Sequence, residues 1–191
     1  EALENGSITL STPVDISDYP YKLTTNSEAS NVPMEARNYT VEQLLEATLV
    51  SSANSAAIAL AEKIAGSEKD FVDMMRAKLL EWGIQDATVV NTTGLNNETL
   101  VDNIYPGSKK DDENKLSAYD VAIVARNLIK KYNEYGFRDA VILEDSVWNV
   151  DDKHVNILVK VDEGTKYYLR NITWVGNTVY ATDYLNALLG M

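Results

Sequence analysis

Apolar positions in this chain change period twice. Through residues 1–38 they occur in short runs such as Ile8 to Leu10 among polar, turn-forming residues, which predicts short strands or extended loops. From Thr40 the spacing becomes helical. Thr40 and Gln43 stand at capping-box distance, and Leu44, Leu45, Thr48 and Leu49 follow on one side. After a polar interruption, Ile58, Leu60, Ala61 and Ile64 continue a helical pattern to Gly66. Ser67, with Asp70 three residues on, caps a third helix whose stripe is Phe71, Met74, Met75, Lys78, Leu79 and Trp82, and Gly83 ends it. Val89 and Val90 suggest a short strand, Asn91 to Asn97 suggest turns, and "YPGSKKDDENK" reads as an exposed loop. Ser117, with Asp120, caps a fourth helix with a stripe of Val121, Val124, Ala125, Leu128 and Tyr132.

Past Tyr135 the period falls to two. Val155, Ile157, Val159 and Val161 alternate with Asn156, Leu158 and Lys160. Two strands joined by a turn at Asp151 to Lys153 are expected, then a third strand ending at Gly176-Asn177, and a last short helix capped by Thr182. There is no internal repeat and no low-complexity segment. The fold class is α+β, and the change of texture near Lys131 to Gly136 marks the expected domain boundary.

Composition narrows the chemistry. The 191 residues are 45% hydrophobic, enough for a real core. The net charge of −12, from 29 acidic and 17 basic residues, argues against nucleic acid and against docking on anionic lipid. With no cysteine, disulfides, thiolate zinc sites and cysteine nucleophiles are excluded. The one histidine, His154, lies in a charged, turn-like run and reads as a surface residue. No cofactor and no metal are expected. No apolar window of about 18 residues suggests a membrane span. No signal peptide is visible, and "EALENGSITL" reads like the interior of a protein, so an incomplete N-terminus is expected.

The interruption "VSSANSAAIAL" carries the candidate chemistry. Ser and Asn compete with an uninterrupted helix by bonding nearby backbone, so a capped junction is the plain reading. Its setting suggests more. "YTVEQLLEATLVSSANSAAIALAE", "VVNTTGLNN" and "NKLSAYDVAIVARNLI" resemble the low-molecular-mass penicillin-binding proteins, the serine D-alanyl-D-alanine carboxypeptidases. That resemblance covers residues 1–131. It implies an extracytoplasmic setting, a helical subdomain, and a S-x-N element at Ser52-Ala53-Asn54 lining the cleft for a peptidoglycan stem peptide or a β-lactam. Ser52 would match the serine that passes a proton between nucleophile, lysine and leaving group. Asn54 would match the asparagine that holds the substrate peptide and orients the lysine. A hydroxyl and an amide each donate and accept, which suits both roles. "NTTGL" is read as a structural turn.

Two further family elements are absent from the sequence. No serine has a lysine three residues later, so there is no S-x-x-K, and "EGTK" at Glu163 to Lys166 is not K-T-G. Ser52 has no base of its own and cannot replace the nucleophile. The resemblance therefore implies a carboxypeptidase fragment that is inactive alone.

From residue 132 to 191, "YGFRDA", "VDEG" and "ITWVGNT" resemble the POTRA repeats of Omp85 or BamA-type outer-membrane assembly proteins. This implies a small α/β unit with a hairpin and a third strand, joined to the first part through a shared helix. It has no catalytic residues, and its exposed strand edge would take a protein partner. Trp148 and Trp174 read as sheet packing. The alternatives to a carboxypeptidase fragment are thus a POTRA-type binding module, or a chimeric scaffold with no natural ligand, fused near "LIKKYNEYG".

Overall fold

The computed structural model describes residues 1–100, 103–149, 155–168, 173, 175 and 179–188. The chain divides into two compact units, Glu1–Val124 and Ala125–Met191.

In the first unit, strand β1 (Pro13–Asp15) pairs antiparallel with β2 (Asn38–Thr40), with Val14 opposite Tyr39. Between them lies α1 (Asp18–Leu23), where strands or loops alone were expected. Its six residues are too few to show a period. They include Pro20, which is tolerated there because the first helical N–H groups have no intrahelical acceptor.

Helices α2 (Val41–Ser51), α3 (Asn54–Ala65) and α4 (Glu68–Glu81) follow the expected punctuation. Thr40 and Gln43 form the full capping box, with Gln43 N–H donating to Thr40 Oγ1 at 3.3 Å and Thr40 N–H to Gln43 Oε1 at 2.9 Å. Ser67 accepts from Asp70 N–H at 3.1 Å. At the end of α4, Gly83 adopts φ 83° while Gly83 N–H reaches Leu80 O and Ile84 N–H reaches Leu79 O, a Schellman stop.

Helix α3 is the centre of the unit. Asn54, Ser55, Ala56, Ile58, Ala59, Leu60 and Ala61 are all buried along it. A helix of small and apolar residues on every side suits packing by several neighbours. Ala56, Ala59 and Leu60 meet Val14, Ile16, Val41 and Leu44 in one cluster, and Ile58 meets Leu23 and Leu100 in another.

One expectation fails here. Val89 and Val90 are buried but form no strand; only an isolated bridge between Thr88 and Lys115 stands beside them. They pack as side chains, while Val90 N–H is taken by Asn114 Oδ1 rather than by a ladder. The apolar stripe on α4 faces a groove rather than the buried core. Val72 is its one buried residue, whereas Phe71, Met74, Met75, Leu79 and Trp82 line an open groove of about 900 Å³.

Helix α5 (Ala118–Glu134) is one unbroken helix across the expected joint. Ser117 accepts from Asp120 N–H at 3.2 Å, and the buried Asp120 carboxylate accepts from Ser117 N–H at 2.8 Å. Its stripe is half-buried at best, with Leu128 43% exposed.

In the second unit, β3 (Val141–Asn149) pairs antiparallel with β4 (Val155–Asp162). Their register shifts between Ile142 and Glu144, which leaves Leu143 as a bulge. The expected third strand is not borne by its described residues: Lys166 to Tyr168 lie in no strand, and Tyr167 N–H bonds Gly136 O at 2.8 Å instead. The hairpin turn, His154, Trp174 and Gly176-Asn177 lie outside the described residues. The last helix, α6, is Thr182–Leu188. Thr182 is its first helical residue, and Ala181 O takes the bond from Leu185 N–H, so Thr182 does not cap it.

Candidate functional site

The break between α2 and α3 is two residues long, Ser52 and Ala53. Ser52 ends α2 in the left-handed conformation, φ 54° and ψ 36°. Among the described residues it is the one non-glycine with positive φ. That conformation costs an L-residue about 1–2 kcal/mol. Ser52 and Ala53 N–H groups both converge on Ala47 O, which closes α2 with a wide turn. The Ser52 side chain is exposed, and among the described residues its hydroxyl has no hydrogen-bond partner.

Asn54, the first residue of α3, is 8% exposed. Its side-chain Nδ2 donates to Ser30 O at 3.1 Å, and its main-chain N–H donates to the same oxygen at 2.9 Å. Next along, Ser55 N–H donates to Asn31 Oδ1 at 2.8 Å. Ser30 Oγ reaches back across the break to Ser51 O at 3.2 Å. Asn31 is itself anchored, its Nδ2 donating to Leu23 O at 3.0 Å. The buried Ser55 hydroxyl has no partner among the described residues.

The structure thus brings Ser52 and Asn54 together on one short break, with an exposed hydroxyl beside a held amide. Sequence reasoning missed Ser30 and Asn31. They lie in "SEASN", a polar stretch with no signal beyond that of any turn.

A separate cavity of about 290 Å³ lies by Tyr19, Glu62 and Glu68, and neither Ser52 nor Asn54 lines it. Burial pushes the Tyr19 phenol well above its usual pKa, and Glu68 and Glu62 add to the rise. Burial also raises the Glu62 carboxyl, opposed by a hydrogen bond from Ser17 and helped by Glu68. Among the described residues, no group of three or more acidic or histidine side chains could hold a metal ion. No described helix is long and apolar enough to cross a membrane.

A mainly helical unit with a small sheet and a S-x-N break between two helices matches part of the penicillin-binding-protein fold. Residues 1–166 match the family model for Peptidase_S11, D-alanyl-D-alanine carboxypeptidase, and the chain belongs to that family. Its members are extracytoplasmic enzymes of the cell wall. The chain is 33% identical over 131 residues to D-alanyl-D-alanine carboxypeptidase DacF of Bacillus subtilis (strain 168), covering 68% of this chain and 29% of that protein. Among solved structures, the peptidoglycan synthesis regulatory factor PBP3 from Streptococcus pneumoniae is 94% identical with a TM-score of 0.67, over 70% of this chain and 36% of that one. The D-alanyl-D-alanine carboxypeptidase DacD from Francisella tularensis is 25% identical with a TM-score of 0.53, over 81% of this chain and 33% of that one. The chain therefore spans about a third of the length of these relatives. The family match runs past Lys131 to Lys166, and the comparisons give the POTRA resemblance of the C-terminal third no support.

Proposed function

We propose that residues 1–131 are the S-x-N-bearing fragment of an extracytoplasmic serine D,D-carboxypeptidase, an enzyme that removes the terminal D-alanine from peptidoglycan stem peptides through an acyl-enzyme that β-lactams trap. The carrying observation is the 94% identity to the pneumococcal protein over 70% of this chain, together with the exposed Ser52 hydroxyl and held Asn54 amide at the break. Ser52 supplies the proton-passing hydroxyl of the cleft wall, and Asn54 the amide that holds a peptide group. The sequence contains neither S-x-x-K nor K-T-G, so this chain alone forms no acyl-enzyme. A fluorescent penicillin, followed by denaturing electrophoresis, tests this. The chain stays unlabelled where pneumococcal PBP3, run beside it, is labelled. Stoichiometric labelling of the chain overturns the reading.

Residues 132–191 support a second reading, a POTRA-like fragment fused to the first through α5. It rests on the sequence motifs alone, since the β3–β4 hairpin lies inside the residues that match the carboxypeptidase family; that hairpin leaves each strand an open edge among the described residues. Extended peptides from outer-membrane β-barrel strands should then slow amide exchange along an outer edge of β3 or β4. Unchanged exchange at saturating peptide leaves the segment a scaffold without that ligand.

A further inference from the structure

The start of α3 is capped from a distance. Ala53, at its N-cap position, has no side-chain acceptor. The first helix bond runs from Ala57 N–H to Ala53 O, so the preceding amides need other partners. Ala53 N–H finds Ala47 O, Asn54 N–H finds Ser30 O, and Ser55 N–H finds Asn31 Oδ1. Capping explains the last two bonds, but not the other contacts of the Ser30–Asn31 turn. Ser30 O also takes the Asn54 side-chain Nδ2, and Ser30 Oγ holds Ser51 O on the far side of the break.

We propose that the Ser30–Asn31 turn is a positioning element for the S-x-N pair, which fixes the Asn54 amide and the span that carries Ser52. The inference rests on the reading of Ser52 and Asn54 as part of a cleft wall. A carbonyl oxygen repels an amide oxygen, so only the Nδ2 arm of Asn54 can face Ser30 O. That sets the flip of the amide. Oδ1 is left on the opposite arm, and one of the two Nδ2 hydrogens is spent. A ligand peptide group therefore meets one acceptor and one remaining donor in a fixed orientation. Ser52 lies between two points held by one turn, Ser51 O and Asn54, so its left-handed backbone is over-determined, as a strained residue must be to persist. The anchor of Asn31 on Leu23 O ties the turn to the end of α1.

The test reads the Asn54 side-chain amide by NMR on the 15N-labelled full chain. In the parent, the Nδ2 hydrogens exchange slowly. In Asn31→Ala the turn loosens, and their exchange speeds about five- to tenfold, the change expected from losing one ordinary hydrogen bond. Asn31→Asp keeps the acceptor for Ser55 N–H but loses the donor to Leu23 O, so it brings exchange only part of the way back. Ser30→Ala separates positioning from capping, because it leaves Ser30 O and Asn31 Oδ1 in place for the α3 amides and removes only the bond to Ser51 O: thermal stability stays near the parent's, while Asn54 exchange still speeds. If Asn31→Ala does not fold, Ser30→Ala, which removes only the bond to Ser51 O, carries the same expectation. Parental exchange in every folded variant overturns the proposal. So does parental exchange in Ser30→Ala beside fast exchange in Asn31→Ala, which makes the turn a cap alone. None of these measurements uses penicillin or a stem peptide, so labelling of the chain would sink the functional reading while leaving this one to stand or fall separately.

Discussion

Phe137 closes the last turn of α5 on Tyr132. Its N–H donates to Tyr132 O at 3.1 Å, and the two rings meet edge-on at 5.9 Å and 82°. Gly136 N–H bonds Asn133 O, and Gly136 takes φ 92°. Two crossing bonds with an apolar clasp make a Schellman stop. "YNEYGF" therefore terminates a helix, and it does so beyond Lys131, where the two expected fragments would be joined.

Gly136 and Gly83 share one backbone conformation in different surroundings. A Cβ on Gly83 meets nothing within 4 Å, whereas one on Gly136 would stand 2.6 Å from Tyr167 O. Gly83→Ala should cost about 1–2 kcal/mol, the price of the left-handed region alone. Gly136→Ala should cost more and should speed amide exchange through β3 and β4, because the Tyr167 backbone has to move. Denaturant unfolding of both variants, with exchange mass spectrometry, checks the difference. Equal costs would show that the close approach to Tyr167 carries no energy.

At the S-x-N break, side chain and backbone separate cleanly. On the plain reading of a capped junction, Ser52→Ala costs at most a lost helix cap, but the Ser52 hydroxyl caps nothing. The cost should stay within about 0.5 kcal/mol, as for surface substitutions generally. Ser52→Gly should instead stabilise by up to about 1 kcal/mol by relieving the positive φ. Asn54→Ala should cost about 1 kcal/mol, since Ser30 O keeps the main-chain donor when the side-chain one is lost. Urea midpoints at constant slope measure all three.

Ser55 is wholly buried, and its hydroxyl lacks a partner among the described residues. Ser55→Ala removes an unsatisfied polar atom without opening a large cavity. Stability should rise by about 1 kcal/mol. A loss of stability would mean that a buried water or an unrecognised acceptor serves that hydroxyl.

Glu62 gives a pH dependence with a definite sign. Burial raises its carboxyl above the ordinary 4.5, against the hydrogen bond from Ser17 and with help from Glu68. The folded chain thus holds this proton more tightly than the unfolded chain. Its stabilising contribution is present below the ordinary value and is lost as pH rises through the raised one. The Tm advantage of Glu62→Gln over the parent should therefore grow with pH across that window and then level off, since glutamine still accepts from Ser17. An advantage that shrinks with rising pH would reverse the assignment.

Much of the helical frame was legible because its punctuation is local. Thr40 with Gln43, Ser67 with Asp70, and Ser117 with Asp120 each satisfy amides within three residues, and Gly66, Gly83 and Gly136 stop the helices they follow. Helix α1 was hidden by its length. Val89 and Val90 looked like a strand because they are apolar and β-branched, yet burial alone accounts for them. Ser52 and Asn54 were legible as a motif, but their geometry was not. Serine gives no sign of a left-handed φ, and the turn that holds Asn54 lies 24 residues earlier.

That distance sets an order of events in folding. Thr40 can start α2 with neighbours it already has. The amides at the start of α3 must wait until a loop of 24 residues has closed on Ser30 and Asn31, and closure costs entropy before any bond forms. Before closure, Ser51, Ser52, Asn54 and Ser55 only weaken helical turns across this stretch, in a run otherwise rich in alanine and leucine, and do not fix where the break falls. The site is therefore not written into the helices that flank it. It is cut into them by a distant turn, and a peptide containing only residues 41–65 would have the motif without a fixed break.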